Sequence, residues 1–212
     1  MPRAKLVSTN SDTRTLEQMV SFYARVSSPA NQTNFETSEK LIKYLMDNKH
    51  WSPFEMVNIC MEINTTRDIG RQILRHRSFS FQEFSQRYSK IDEKGISIRE
   101  ARLQDAKNRQ ASLEVDDEEL QTAWQKKQAS VVEQSIAVYQ WALKNGIAKE
   151  QARAVLPEGL VLTRMYMNGS LRSWIHYLQV RTKHDTQKEH REVAMECLDE
   201  IAKVFPLIRH VV

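Results

Sequence analysis

Hydrophobic and polar positions change period several times along this chain, and each change marks an element. Ala4 to Thr9 (AKLVST) reads as a short first strand. Thr15 and Gln18 then have the spacing of a capping box, and Leu16, Met19, Val20 and Tyr23 follow at helical intervals. That predicts a helix from about Thr15 to Val26. SEKLIKYLMDN reads as a second helix with Leu41, Ile42 and Leu45 facing inward. MVNICMEINT alternates strictly, with Val57, Ile59, Met61 and Ile63 on one face and Asn58, Cys60, Glu62 and Asn64 on the other, as a half-buried strand requires. From Arg67 to His76 the helical period returns: Ile69 and Ile73 share one side, and Arg67, Arg71 and Arg75 recur every four residues on another.

The second half is read in the same way. Ile91 to Glu119 is polar and charged, and is expected to be a long loop or an irregular helix. Asp116 to Glu119 make the acidic first turn of a long helix reaching Lys144. ARAVLPEGLVLTRMYMN predicts a short helix, a turn at Pro157 and Gly159, and a strand. SLRSWIHYLQVR and TQKEHREVAMECLDEIAKVF predict two closing helices. The order gives an α+β fold, a mixed sheet flanked by helices, in one domain over residues 1–212 without repeats or linkers.

Composition narrows the function classes. A chain of 212 residues is long enough for a sizeable core. No apolar run approaches the roughly 18 residues of a membrane span, and MPRAKLVSTNSD lacks the apolar centre of a secretory signal, so a cytoplasmic location and no membrane partner are expected. Cys60 and Cys197 are far apart with no C-x-x-C, and are expected to be reduced and structural. A formal charge of +4 does not require a nucleic-acid partner but suits anionic ligands. The only glycines are at 70, 95, 146, 159 and 169, so neither dinucleotide nor P-loop glycine motifs can be written, and any phosphate must be held by side chains. H-E-x-x-H and G-x-S-x-G are absent, and His184 and His190 lie six apart, so no metal site is expected.

The arginines concentrate in RQILRHRSFSFQEFSQRYS, from Arg71 to Ser89. Arg75, His76 and Arg77 fall where a helix gives way to an irregular stretch, where guanidinium forks can take a phosphate bidentately and the histidine can stack or donate. Ser85 and Arg87 would approach the same anion from the following segment. Glu83 either hydrogen-bonds a base or ribose or orients an arginine. Arginines four apart on a helix repel by a few tenths of a kcal/mol per pair, a cost that something anionic would offset. The opposing reading is a solvated basic face with Phe79, Phe81 and Phe84 as core contacts. A further alternative is a nucleic-acid-binding module that uses the arginines on phosphates and the phenylalanines for stacking.

At these residues the chain resembles the flavin-dependent thymidylate synthases. The resemblance is carried by Arg75-His76-Arg77 followed by Ser85, Arg87 and Tyr88, and by HWSPFE, ARAVLP, SLRSWIHYLQVR and TQKEHR in the family's order, from about His50 to Arg191. It implies methylation of dUMP to dTMP, with methylenetetrahydrofolate as carbon donor and FAD reduced by NADPH as hydride source. It also implies a homotetramer with active sites between subunits, and no nucleic-acid partner. Carried over, Ser52, Arg75, His76, Arg77, Glu83, Ser170, Arg172 and His176 would contact FAD. Gln72, Arg75, Glu83, Ser85, Gln86, Arg87, Arg153 and Arg181 would contact dUMP. Arg181 would stabilise negative charge near N3 of the pyrimidine and its carbonyl, making C5 more nucleophilic. His50 would lie near the flavin, assisting folate or proton handling, or would simply end the second helix. Ser85 has no adjacent histidine-acid pair and is read as a substrate-binding group, not a nucleophile. Met56, Gln82, Ser170, Thr186 and His190 depart from the family's usual residues, which bears on flavin affinity more than on the reaction.

Overall fold

A computed structural model describes residues 3–10, 12–87 and 95–212. The elements run β1 (Ala4–Thr9), α1 (Leu16–Ala24), α2 (Ser38–Asp47), β2 (Asn58–Thr66), α3 (Arg67–Ile73), β3 (Ser80–Glu83), β4 (Arg102–Gln104), β5 (Ser112–Glu114), α4 (Glu118–Lys144), α5 (Lys149–Ala152), β6 (Leu162–Ser170), α6 (Leu171–Arg181) and α7 (Lys188–Ala202). One sheet has the order β1-β2-β6-β3, and β4 and β5 form a second, two-stranded sheet. The chain is a mixed helix-and-sheet protein, as its periodicity predicts. Among the described residues no helix is long and apolar enough to cross a membrane.

The chain divides into two compact units. One comprises residues 1–63, 76–82 and 165–212, and the other residues 64–75 and 83–164. The boundaries therefore fall inside β2, β6 and β3, and between Arg75 and His76.

In the first unit, β1 pairs antiparallel with β2, from Ala4 opposite Ile63 to Thr9 opposite Ile59, with a register shift between Leu6 and Ser8. The other edge of β1 is closed by α7: Glu196 Oε2 accepts from the backbone N–H of Arg3 and Ala4 at 2.6 and 3.0 Å, and Glu200 Oε2 from that of Leu6 at 3.4 Å. Carboxylates thus occupy donors that would otherwise template another strand. The alternating residues Ile59, Met61 and Ile63 of β2 are buried, with Met165 and Met167 of β6 and Trp174, Tyr177, Val193, Cys197 and Ile201 of the last two helices. The Trp174 indole N–H donates to the Ile59 carbonyl at 3.0 Å, which satisfies its one polar atom within that core. α1 starts with the predicted capping box: Thr15 Oγ1 accepts from Gln18 N, and Gln18 Oε1 from Thr15 N.

In the second unit, Ile136, Tyr139, Ala142, Ala152, Leu156 and Val161 form an apolar cluster between α4, α5 and the approach to β6. The expectation of a loop or irregular helix over Ile91 to Glu119 is corrected: Arg102 to Glu114 is an antiparallel hairpin, with Leu103 opposite Leu113. Residues 97–101, ahead of it, are held by side chains of α4. The Gln128 amide exchanges two hydrogen bonds with the backbone of Arg99, and the Gln121 amide does so with that of Ala101. Tyr88 and residues 91–94 lie outside the described residues. The stretch after Arg77, expected to be irregular, includes the strand β3.

Candidate functional site

The two predicted ligand sets divide largely along the two units. Six of the eight flavin-set residues (Ser52, His76, Arg77, Ser170, Arg172 and His176) belong to the first, whereas the other two, Arg75 and Glu83, belong to the second with Gln72, Ser85, Gln86, Arg87 and Arg153, that is, with all of the substrate set except Arg181.

In the first unit, a 3-10 turn over Ser52–Met56 brings Glu55 to the start of α6. Ser170 is the N-cap of that helix, accepting from Ser173 N at 3.3 Å and donating its hydroxyl proton to Glu55 Oε2 at 2.5 Å. The Arg172 guanidinium carbon lies over the Trp51 ring, 4.5 Å from its centroid, with Nε 4.0 Å from Glu55. His176, one turn further along α6, is exposed, as are Ser52 and Arg77. Arg181, in the last turn of α6, donates from Nε to His76 Nε2 at 2.9 Å. Trp174 and Tyr177, on the same helix, are core residues.

His50 does not end α2; it follows it. Lys49 N–H donates to Met46 O and His50 N–H to Leu45 O at 2.8 Å, the paired bonds of a Schellman motif. The motif puts Lys49 at φ 58°, a left-handed position where glycine is usual. His50 is thereby exposed just beyond the helix, edge-on to Tyr44.

In the second unit the arginine ridge of α3 meets carboxylates. Arg71 makes a two-pronged bond to Glu158 at 2.6 and 2.5 Å, and Arg67 reaches Glu83 at 3.4 Å and Glu158 at 3.7 Å. The Arg71 guanidinium holds the Glu158 carboxyl below the ordinary range, and Glu158 raises Arg71 in turn. The anion that offsets the ridge's repulsion is therefore supplied by the protein at Arg67 and Arg71, while Arg75 makes no ion pair among the described residues. Glu83 is also held by the Thr163 hydroxyl, which donates to the same Oε1 at 2.7 Å. Glu83 thus contacts Arg67 and Thr163 through one oxygen.

A cavity of about 340 Å³ in this unit is lined by Arg67, Arg71, Gln86, Glu150, Arg153 and Glu158, among others. Gln86 is 4% exposed, and its amide nitrogen has no hydrogen-bond partner; the same holds for Arg67 Nε. Two unused buried donors beside Arg153 make a site suited to accept an anionic, hydrogen-bond-accepting ligand. Arg87 stands 3.7 Å from Glu150, and its backbone N–H donates to Ser85 Oγ at 3.3 Å. Of the expected substrate set, the cavity contains Gln86 and Arg153. Arg67, Arg71, Glu150 and Glu158 were not among the expected site residues. The four-residue arginine spacing was the available signal for the first two, whereas nothing local marks the two glutamates, which arrive from α5 and from the turn before β6.

These features define a mixed helix-and-sheet protein with an arginine-lined cavity and no glycine-rich phosphate motif. The profile of the family described as "Thymidylate synthase complementing protein" matches residues 5–207. A probable flavin-dependent thymidylate synthase of Paramecium bursaria Chlorella virus 1 is 46% identical over 194 residues, covering 92% of this chain and 89% of that one. The flavin-dependent thymidylate synthase of Synechocystis sp. is 52% identical over 192 residues, covering 91% and 87%. Among solved structures, the UMP/dUMP methylase PolB from Streptomyces cacaoi bound with 5-Br UMP superposes with a TM-score of 0.80 at 25% identity, covering 98% of this chain and 92% of that one. The chain belongs to the flavin-dependent thymidylate synthase family.

Proposed function

We propose that this chain makes dTMP from dUMP, taking the carbon from methylenetetrahydrofolate. FAD, reduced by NADPH, supplies the hydride that completes the methyl group. The observation that carries the substrate assignment is the arginine-lined cavity with the buried Gln86 amide nitrogen, which has no hydrogen-bond partner. Its residues can bind and orient a nucleotide monophosphate, with Arg153 and Gln86 donating from within the cavity and Gln72, Arg75, Ser85 and Arg87 placed on the same unit. Glu83, whose Oε1 accepts from Arg67 and Thr163, would take a proton donor of the nucleotide on its second oxygen. Arg181 would stabilise the negative charge that develops on the pyrimidine.

The donors of the first unit suit a pyrophosphate-bearing flavin. Arg77 and His176 are exposed, Arg172 is preorganised over Trp51, and Ser52 adds a hydroxyl; Ser170 is available once its hydroxyl leaves Glu55. Arg75, His76 and Glu83 complete the proposed flavin set, and His50 is the proposed folate- or proton-handling residue. The proposal extends to one catalytic domain, a homotetramer, and a cytoplasmic setting.

Flavin retention after desalting, followed by anaerobic NADPH in the same cuvette, tests the cofactor half. A retained flavin band that bleaches, and bleaches faster with dUMP, is expected. A protein that sheds all its flavin but binds oligonucleotides with a steep salt dependence would replace this reading with the nucleic-acid one.

A further inference from the structure

We propose that His76 is the positioning residue for Arg181: its uncharged imidazole accepts the arginine's Nε–H and aims the guanidinium without cancelling its charge. The proposal rests on the reading of Arg181 as the group that activates the pyrimidine.

Arg181 is held differently from three other arginines of the proposed sites and their surroundings. Arg71 is gripped by Glu158, Arg67 by Glu83, and Arg172 faces Glu55, so each has a carboxylate beside it. Arg181 has none among the described residues; its hydrogen bond is the one to His76 Nε2 at 2.9 Å. A carboxylate at that place would orient the guanidinium equally well but neutralise it, and an electrostatic catalyst depends on the charge it presents. A neutral imidazole supplies the acceptor alone. The remaining N–H groups of both terminal nitrogens stay available to a ligand as a directed fork.

The geometry also fixes the proton on His76. Nε2 can accept only if it is bare, so the proton of the neutral ring sits on Nδ1. The ring plane is set by its surroundings. Tyr177, one turn before Arg181 on α6, meets it edge-on at 5.0 Å and 79°, and His190 of α7 meets it at 6.4 Å and 89°. Both partners are fully buried. His190 adds no competing cation, since burial first, and then the charge of Arg181, push its pKa down to about 3.

Two measurements decide the matter. In the full-length chain labelled with ring-15N histidine, His76 is expected as the Nδ1–H tautomer, the minor form of a free imidazole, and Arg181→Ala should relax that preference. A proton on Nε2 at neutral pH overturns the proposal. In turnover at saturating FAD, His76→Ala should lower kcat for dUMP by about 10–100-fold, the usual cost of removing an orienting partner, with a smaller change in KM. His76→Gln, whose amide oxygen can accept in place of Nε2, should recover most of the loss. Undiminished turnover in His76→Ala, or equal losses in both variants as a packing role would give, overturns it. The tautomer is read without turnover, so a wild-type chain that made no dTMP would defeat the functional reading separately.

Discussion

Arg67 and Arg71 are compensated by glutamates of the same chain, whereas Arg181 is oriented by a histidine and Arg75 makes no ion pair among the described residues. Arg181 and Arg75 thus keep a charge that no carboxylate among the described residues offsets. Arg181→Ala is accordingly expected to abolish thymidylate formation while leaving bound FAD largely in place, and Arg77→Ala to weaken FAD retention; wild-type turnover in the first or unchanged flavin affinity in the second would remove the assigned role. His190 makes a separate prediction about stability. Its pKa is about 3 when folded against an ordinary value of 6.5, so between these limits the unfolded chain binds the extra proton. The stabilisation is complete above pH 6.5 and declines as pH falls, by ~2 kcal/mol at pH 5. Denaturant unfolding of the wild type should therefore lose stability more steeply from pH 6.5 to 5 than that of His190→Leu, and parallel curves would contradict the burial argument.

Elements were legible where their signal is local. The capping box of α1, the alternation of β2 and the acidic start of α4 were all readable because each depends on residues within one or two turns. The β4–β5 hairpin was not, since its strands are three residues long and largely exposed, and the extended segment before it is held by Gln121 and Gln128 of α4, twenty or more residues away. The same limit hid Glu150 and Glu158 from the candidate site. Helix ends show how one motif tolerates different residues. α4 ends in a Schellman motif with Gly146 at φ 76°, and α2 ends in the same motif with Lys49 in that role. Since a side chain disfavours this backbone region, Lys49→Gly should stabilise the protein by about 1 kcal/mol, read as a raised denaturation midpoint at unchanged slope. A lowered midpoint would mean that the lysine side chain makes a compensating contact. The motif also fixes where His50 leaves the helix.

For the molecule as a whole, the division into two compact units parallels the division of the proposed ligands, with most flavin-set residues on one and most substrate-set residues on the other. His76 opens a segment of the first unit directly after Arg75 closes a segment of the second, so the Arg75-His76-Arg77 motif spans the boundary along the chain. The fold class could be read from the sequence because its periodicities are strong. This division could not, because it depends on which distant segments pack together. The central claim is the conversion itself, and it is tested most directly by anaerobic incubation of the purified chain with FAD, NADPH, dUMP and methylenetetrahydrofolate carrying a labelled methylene, followed by chromatography of the nucleotides. Label appearing in dTMP, dependent on both FAD and NADPH, is the predicted result; NADPH oxidation with dUMP recovered unchanged and no labelled nucleotide would contradict it.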